Sequence, residues 1–77
     1  MEEHVRVSGE RLKALRIERN LTLEVLAEMA GLGVSTLSQY ENGEREVKTV
    51  NLLKIMKFFD VSADYLLGVS DMRKCTK

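Results

Sequence analysis

The chain is predicted to be an all-α domain of five short helices, on three observations. The stretch Leu21 to Gly43, LTLEVLAEMAGLGVSTLSQYENG, sets two short amphipathic helices around a tight turn. Proline is absent and only five glycines occur in 77 residues, which suits helices joined by short turns. Three candidate helix starts also share one detail. Leu21 and Leu26, Leu32 and Leu37, and Val61 and Leu66 flank Thr22, Gly33 and Ser62 at the N′ and N4 positions of a hydrophobic staple. No strand is predicted.

The first helix is placed from Gly9 to Asn20, with Ser8 as its cap and Leu12 and Leu15 facing inward. The second starts after Thr22, whose hydroxyl can accept from exposed backbone N–H groups. Glu24 lies at the positive end of its dipole, and Gly31 ends it. The third follows Gly33 and stops at Asn42-Gly43. The fourth spans Thr49 to Phe59, and a short fifth runs from Ser62 to Leu67, stopped by Gly68. The expected core is Leu12, Leu15, Leu26, Ala27, Ala30, Leu37, Leu53, Met56, Val61 and Leu66, with Tyr40 packing beside Leu37. Residues 1–8 read as an N-terminal extension, 9–69 as the folded domain and 70–77 as a frayed tail without periodicity.

Composition bounds the function. Apolar residues make up 44% and charged residues 31%, an ordinary balance for one small globular domain. No apolar run approaches the roughly 20 residues that span a bilayer. The opening MEEHVRVSGE has no signal-peptide core. The one cysteine, Cys75, cannot form an internal disulfide and points to a cytoplasmic location, as an exposed thiol without consequence. One cysteine with one histidine, His4, makes no zinc site, and His4 reads as a residue of a mobile terminus. No Gly-rich phosphate loop, HExxH or base-flanked nucleophile is present, so no cofactor, metal, catalytic residue or small-molecule effector is expected.

Twelve basic residues balance twelve acidic ones, so a bulk positive field is missing. Residues 1–20 carry Arg6, Arg11, Lys13, Arg16 and Arg19 against four glutamates, while residues 21–32 carry only Glu24 and Glu28. Any affinity for nucleic acid must come from placed groups. The helix pair of Leu21 to Gly43 has the size to lay one helix in a DNA major groove. Small polar residues line one face of its second helix.

The run ERLKALR…LTLEVLAEMAGLGVSTLSQYENGERE…LLKI…VSADYLLG resembles the phage-repressor (Cro/cI, or Xre-type) helix-turn-helix family. The likeness covers about residues 9–69 and keeps the spacing of all five helices. It implies a lambda-repressor-like DNA-binding domain and a sequence-specific transcriptional regulator, most simply a repressor. The third helix would then be the recognition helix, with Val34, Ser35, Ser38 and Gln39 facing base edges or nearby phosphates. Gln39 can donate and accept together, as bidentate reading of adenine requires, and Val34 offers a surface to a thymine methyl. The second helix would abut the DNA backbone at Thr22 and Leu23. Asn42, Gly43 and the loop through Arg45 would run beside a phosphate. Backbone N–H groups at the fourth helix start, Lys48 and Thr49, could bind another. Arg16 would lie near the backbone and pair with Glu41. A pseudo-palindromic double-stranded site implies a homodimer, with Tyr65, Leu67 and Val69 as its expected surface.

This chain departs from the family pattern at several positions. Leucine stands at 23 where glutamine is common, valine at 25 for a glutamate, and glycine at 33 for a serine or threonine. Val47 replaces a frequent proline and Lys48 a frequent serine or threonine, and the third helix has no arginine or lysine. The rival class is a module that uses the same fold to bind a protein partner. It predicts weak, salt-abolished DNA binding and an exposed apolar patch at Leu23, Val25 and Val34.

Overall fold

In the computed structural model, which describes residues 4–73, a local signal in the chain marks the start of every helix. The helices are α1 (Gly9–Glu18), α2 (Leu23–Ala30), α3 (Val34–Glu41), α4 (Thr49–Phe59) and α5 (Ala63–Leu67). The hydroxyls of Ser8, Thr22 and Ser62 accept from the backbone N–H of Arg11 (3.2 Å), Val25 (3.1 Å) and Tyr65 (3.0 Å), each three residues on. Gly33 and Lys48 cap α3 and α4 without a side-chain bond. Staple positions recur at all five starts, not three. Val7 and Leu12 flank Ser8, Val47 and Leu52 flank Lys48, and all four side chains are buried. Leucine thus occupies N4 of every helix.

Burying those N4 leucines against one another makes the core, joined by Leu15, Ala27, Tyr40, Ile55, Phe59, Val61 and the N′ valines. The α4 face is set one residue away from the expected one. Leu52, Ile55 and Phe59 turn inward, whereas Leu53 is 51% exposed and Met56 only partly buried. Spacing of three and four residues fits Leu52, Ile55, Met56 and Phe59 together, while the pair Leu53 and Met56 alone cannot fix the phase. Ala30 is likewise only partly buried.

The expectation of no strand is corrected by a two-residue antiparallel pair, β1 (His4–Val5) with β2 (Val47–Lys48), His4 opposite Lys48 and Val5 opposite Val47. Its cause is the alternation in His4-Val5-Arg6-Val7, which turns Val5 and Val7 toward the core while Arg6 faces outward. His4 therefore sits in a paired segment. The Ser8 N–H also donates to the Leu66 carbonyl (2.7 Å), joining this segment to α5.

Residues 70–73 likewise differ from the expected frayed tail. The Arg11 guanidinium donates to the carbonyls of Tyr65 (2.9 Å) and Ser70 (2.6 Å) and to Asp71 (2.7 Å). The Ser62 hydroxyl donates to the Met72 carbonyl (3.0 Å), and Arg73 bonds Glu18 (2.6 Å). The hydrogen bond to Glu18, then that to Tyr65, raises the Arg73 pKa above its ordinary value. The guanidinium groups of Arg11 (4.4 Å to the ring centroid) and Arg73 (5.4 Å) both lie over the Tyr65 ring. Polar contacts to distant residues hold this strap, so it has no apolar periodicity to read. Cys75 lies outside the described residues.

Candidate nucleic-acid interface

The turn between α2 and α3 is built on Gly31, whose φ of +77° is left-handed and disfavours a side chain. The Leu32 N–H then donates to the Ala27 carbonyl (2.8 Å), and Gly33 opens α3 two residues after Gly31. Lys54 of α4 donates to the Gly31 carbonyl (3.2 Å). Leu26 and Ala27 of α2 and Leu37 and Tyr40 of α3 bury the facing sides. The opposite side of α3 presents Val34 and Ser35 to solvent, with Ser38 and Gln39 half-buried along it.

One ion pair fixes the end of α3. Arg16 donates through Nε to Glu41 Oε2 (2.8 Å) and through Nη2 to Oε1 (3.2 Å), while Nη1 donates to the Leu21 carbonyl (2.9 Å). The side chains are 14% and 4% exposed, so this bidentate pair is largely dry. It ties α1 both to the last residue of α3 and to the loop that enters α2. The guanidinium is spent inside the protein, which limits what Arg16 can offer a phosphate. Gly9 makes the close approach possible. A Cβ there would collide with the Glu41 carbonyl oxygen and lie 2.9 Å from that of Tyr40. The Tyr40 hydroxyl accepts from Asn51 Nδ2 (3.0 Å), which ties α3 to α4.

The loop after α3 folds back over its end. Gly43 takes a φ of +72°, its N–H donates to the Tyr40 carbonyl (3.2 Å), and the Glu44 N–H donates to the Gln39 carbonyl (2.9 Å). Arg45 then donates to Gln39 Oε1 (3.2 Å). Asn42, Gly43 and Arg45 are exposed on this loop. Thr22 is exposed at the α2 start, its hydroxyl serving as the cap, whereas Leu23 packs against the core. Thr49 is exposed at the first position of α4, and Lys48 pairs through β2. The structure thus brings Gln39, Asn42, Gly43 and Arg45 together at the end of α3, and the Arg16 guanidinium links that end to the Leu21 carbonyl, next to Thr22 and Leu23 at the start of α2.

Sequence reasoning missed Arg6. The β1–β2 pairing carries it to the loop, where it donates to the Gly43 carbonyl (3.1 Å). The signal was the Val-Arg-Val alternation, whose two valines need a buried face. At the other end, Tyr65 and Leu67 are partly buried within the protomer, and of the expected dimer residues only Val69 is largely exposed. Among the described residues no His/Cys/Asp/Glu group could hold a metal, and no helix is long and apolar enough to cross a membrane.

Five helices with a three-residue turn between α2 and α3, and a polar strip on the outer side of α3, define a helix-turn-helix protein. Residues 12–66 match the helix-turn-helix family model. The chain is 39% identical over 66 residues to the transcriptional regulator ImmR of Bacillus subtilis, covering 86% of this chain and 52% of ImmR. It spans about half the length of that relative. A crystal structure of the P22 c2 repressor in complex with synthetic operator 9T superposes with a TM-score of 0.77 at 33% identity, covering 86% of this chain and all of that one. The restriction-modification controller protein C.AhdI from Aeromonas hydrophila gives a TM-score of 0.69 at 38% identity over 75% of this chain and 88% of that one. The chain belongs to the phage-repressor (Cro/cI, Xre-type) helix-turn-helix family.

Proposed function

We propose that the chain is a cytoplasmic DNA-binding transcriptional regulator, acting as a repressor. It binds a pseudo-palindromic operator as a homodimer, with α3 of each copy in the major groove. The observation that carries this reading is the locking of α3. Leu37 and Tyr40 bury one side, Arg16–Glu41 fixes its end, and the outer strip of Val34, Ser35, Ser38 and Gln39 is small enough to approach base edges. Arg6, Arg45 and the backbone N–H groups at Thr22 and Thr49 supply phosphate contacts around that strip, replacing the bulk positive charge that the chain lacks. Repression follows from occupying a promoter. The operator reading is supported by the P22 c2 complex with a synthetic operator, whose repressor has a similar fold.

Selection of bound duplexes from a random library, followed by titration of the winner at two salt concentrations, tests the reading. The expected result is an enriched inverted repeat, with half-sites about one helical turn apart, bound far more tightly than scrambled DNA. Absence of enrichment, with only salt-sensitive background, refutes it. A second reading, a module for a protein partner, draws on the exposed Val25, Met29 and Val34 of α2 and α3. Leu23, which that reading also needs on the surface, packs against the core instead.

A further inference from the structure

We infer that Arg45 is a positioning residue for the Gln39 amide and that the pair reads guanine; this rests on Gln39 facing base edges. A free glutamine amide can accept and donate side by side, the pattern that adenine N6 and N7 complement. In this protein the amide is not free. Two bonds join residue 39 to the returning loop: the Glu44 N–H to the Gln39 carbonyl (2.9 Å), and Arg45 Nη1 to Gln39 Oε1 (3.2 Å). The first, with the left-handed Gly43, fixes where the loop passes, so Arg45 arrives beside Gln39 by backbone geometry.

An arginine only donates, so the amide atom that faces Arg45 must be the oxygen. The amide nitrogen, with two N–H groups, is then directed away from the guanidinium. The Arg45 cation takes one of the oxygen's two lone pairs, which leaves the unit weaker as an acceptor than as a donor. In the major groove guanine offers two acceptors, N7 and O6, whereas adenine offers one acceptor and one donor. The pinned amide favours guanine, because an adenine N6 donor would have to share the oxygen with Arg45.

The test is base-resolved selection with the full 77-residue chain, its Gln39→Ala and Arg45→Ala variants, and thermal melts to show that each variant folds. The position read by Gln39 is the one whose preference disappears in Gln39→Ala, and the wild-type chain prefers guanine there. Arg45→Ala is expected to lower guanine-over-adenine discrimination at that position by about fivefold to 150-fold while leaving other positions unchanged. Adenine preferred there by the wild-type chain overturns the inference. So does an Arg45→Ala variant that weakens all sequences alike, with a salt slope lower by about one, since that marks a phosphate contact alone. A Gln39→Ala variant with no altered position refutes the placement of Gln39 on base edges, and the inference with it.

Discussion

Replacing Glu41 by alanine removes both acceptors of Arg16 Nε and Nη2 and leaves a guanidinium that is 14% exposed with only the Leu21 carbonyl. Breaking a buried pair from one side costs about 3–5 kcal/mol, because the surviving charge stays desolvated. Arg16 keeps one partner and some water, which puts the expected loss near the lower end, about 3 kcal/mol. A domain of this length has about 4–12 kcal/mol in total, so the loss is a large share of it. At about 4–8 °C per kcal/mol the melting temperature should fall by about 12–24 °C. Urea and thermal unfolding followed by far-ultraviolet circular dichroism measure both quantities. In a double-mutant cycle, Arg16→Ala with Glu41→Ala should cost clearly less than the two singles added, since neither charge is then left alone. A loss below about 1 kcal/mol would put the pair on the level of an exposed salt bridge and refute its role in locking α3.

Four further outcomes test the fold. Gly9→Ala drives a methyl into the Glu41 and Tyr40 carbonyls and should destabilise by about 1–3 kcal/mol or more in the same melts. Leu52→Ala should cost about 2–5 kcal/mol and Leu53→Ala no more than about 0.5; equal losses would contradict the observed phase of α4. Thr22→Ala removes the α2 cap and should lower stability by about 1 kcal/mol, with Thr22→Ser restoring it. Tyr40→Phe removes the acceptor for Asn51 and should cost about 0.5–1.5 kcal/mol by urea midpoint.

Helix starts and ends were legible in the chain because they are decided locally. Ser8, Thr22 and Ser62 satisfy N–H groups three residues away, and Gly31, Gly43 and Gly68 adopt the left-handed turns that follow helices. Even the two missed staples, Val7 with Leu12 and Val47 with Leu52, were present at the same spacing. They are harder to see because Lys48 lacks the side chain of an ordinary cap and because Val7 belongs to an alternating segment outside the helical periodicity.

The sequence by itself therefore determined five helices, their order and most of the inward-facing residues, since each depends on atoms within about one helical turn. Tertiary structure decided which side of α4 is buried, how residues 4–8 and 70–73 close over the helices, and that Arg6 and Arg45 meet the end of α3. It also decided that Gln39 has a charged neighbour on its oxygen. Those contacts join groups that are distant in the chain or meet only where a loop folds back. Their geometry follows from how the helices pack; a local pattern such as Val5-Arg6-Val7 marks a buried face without specifying its partner.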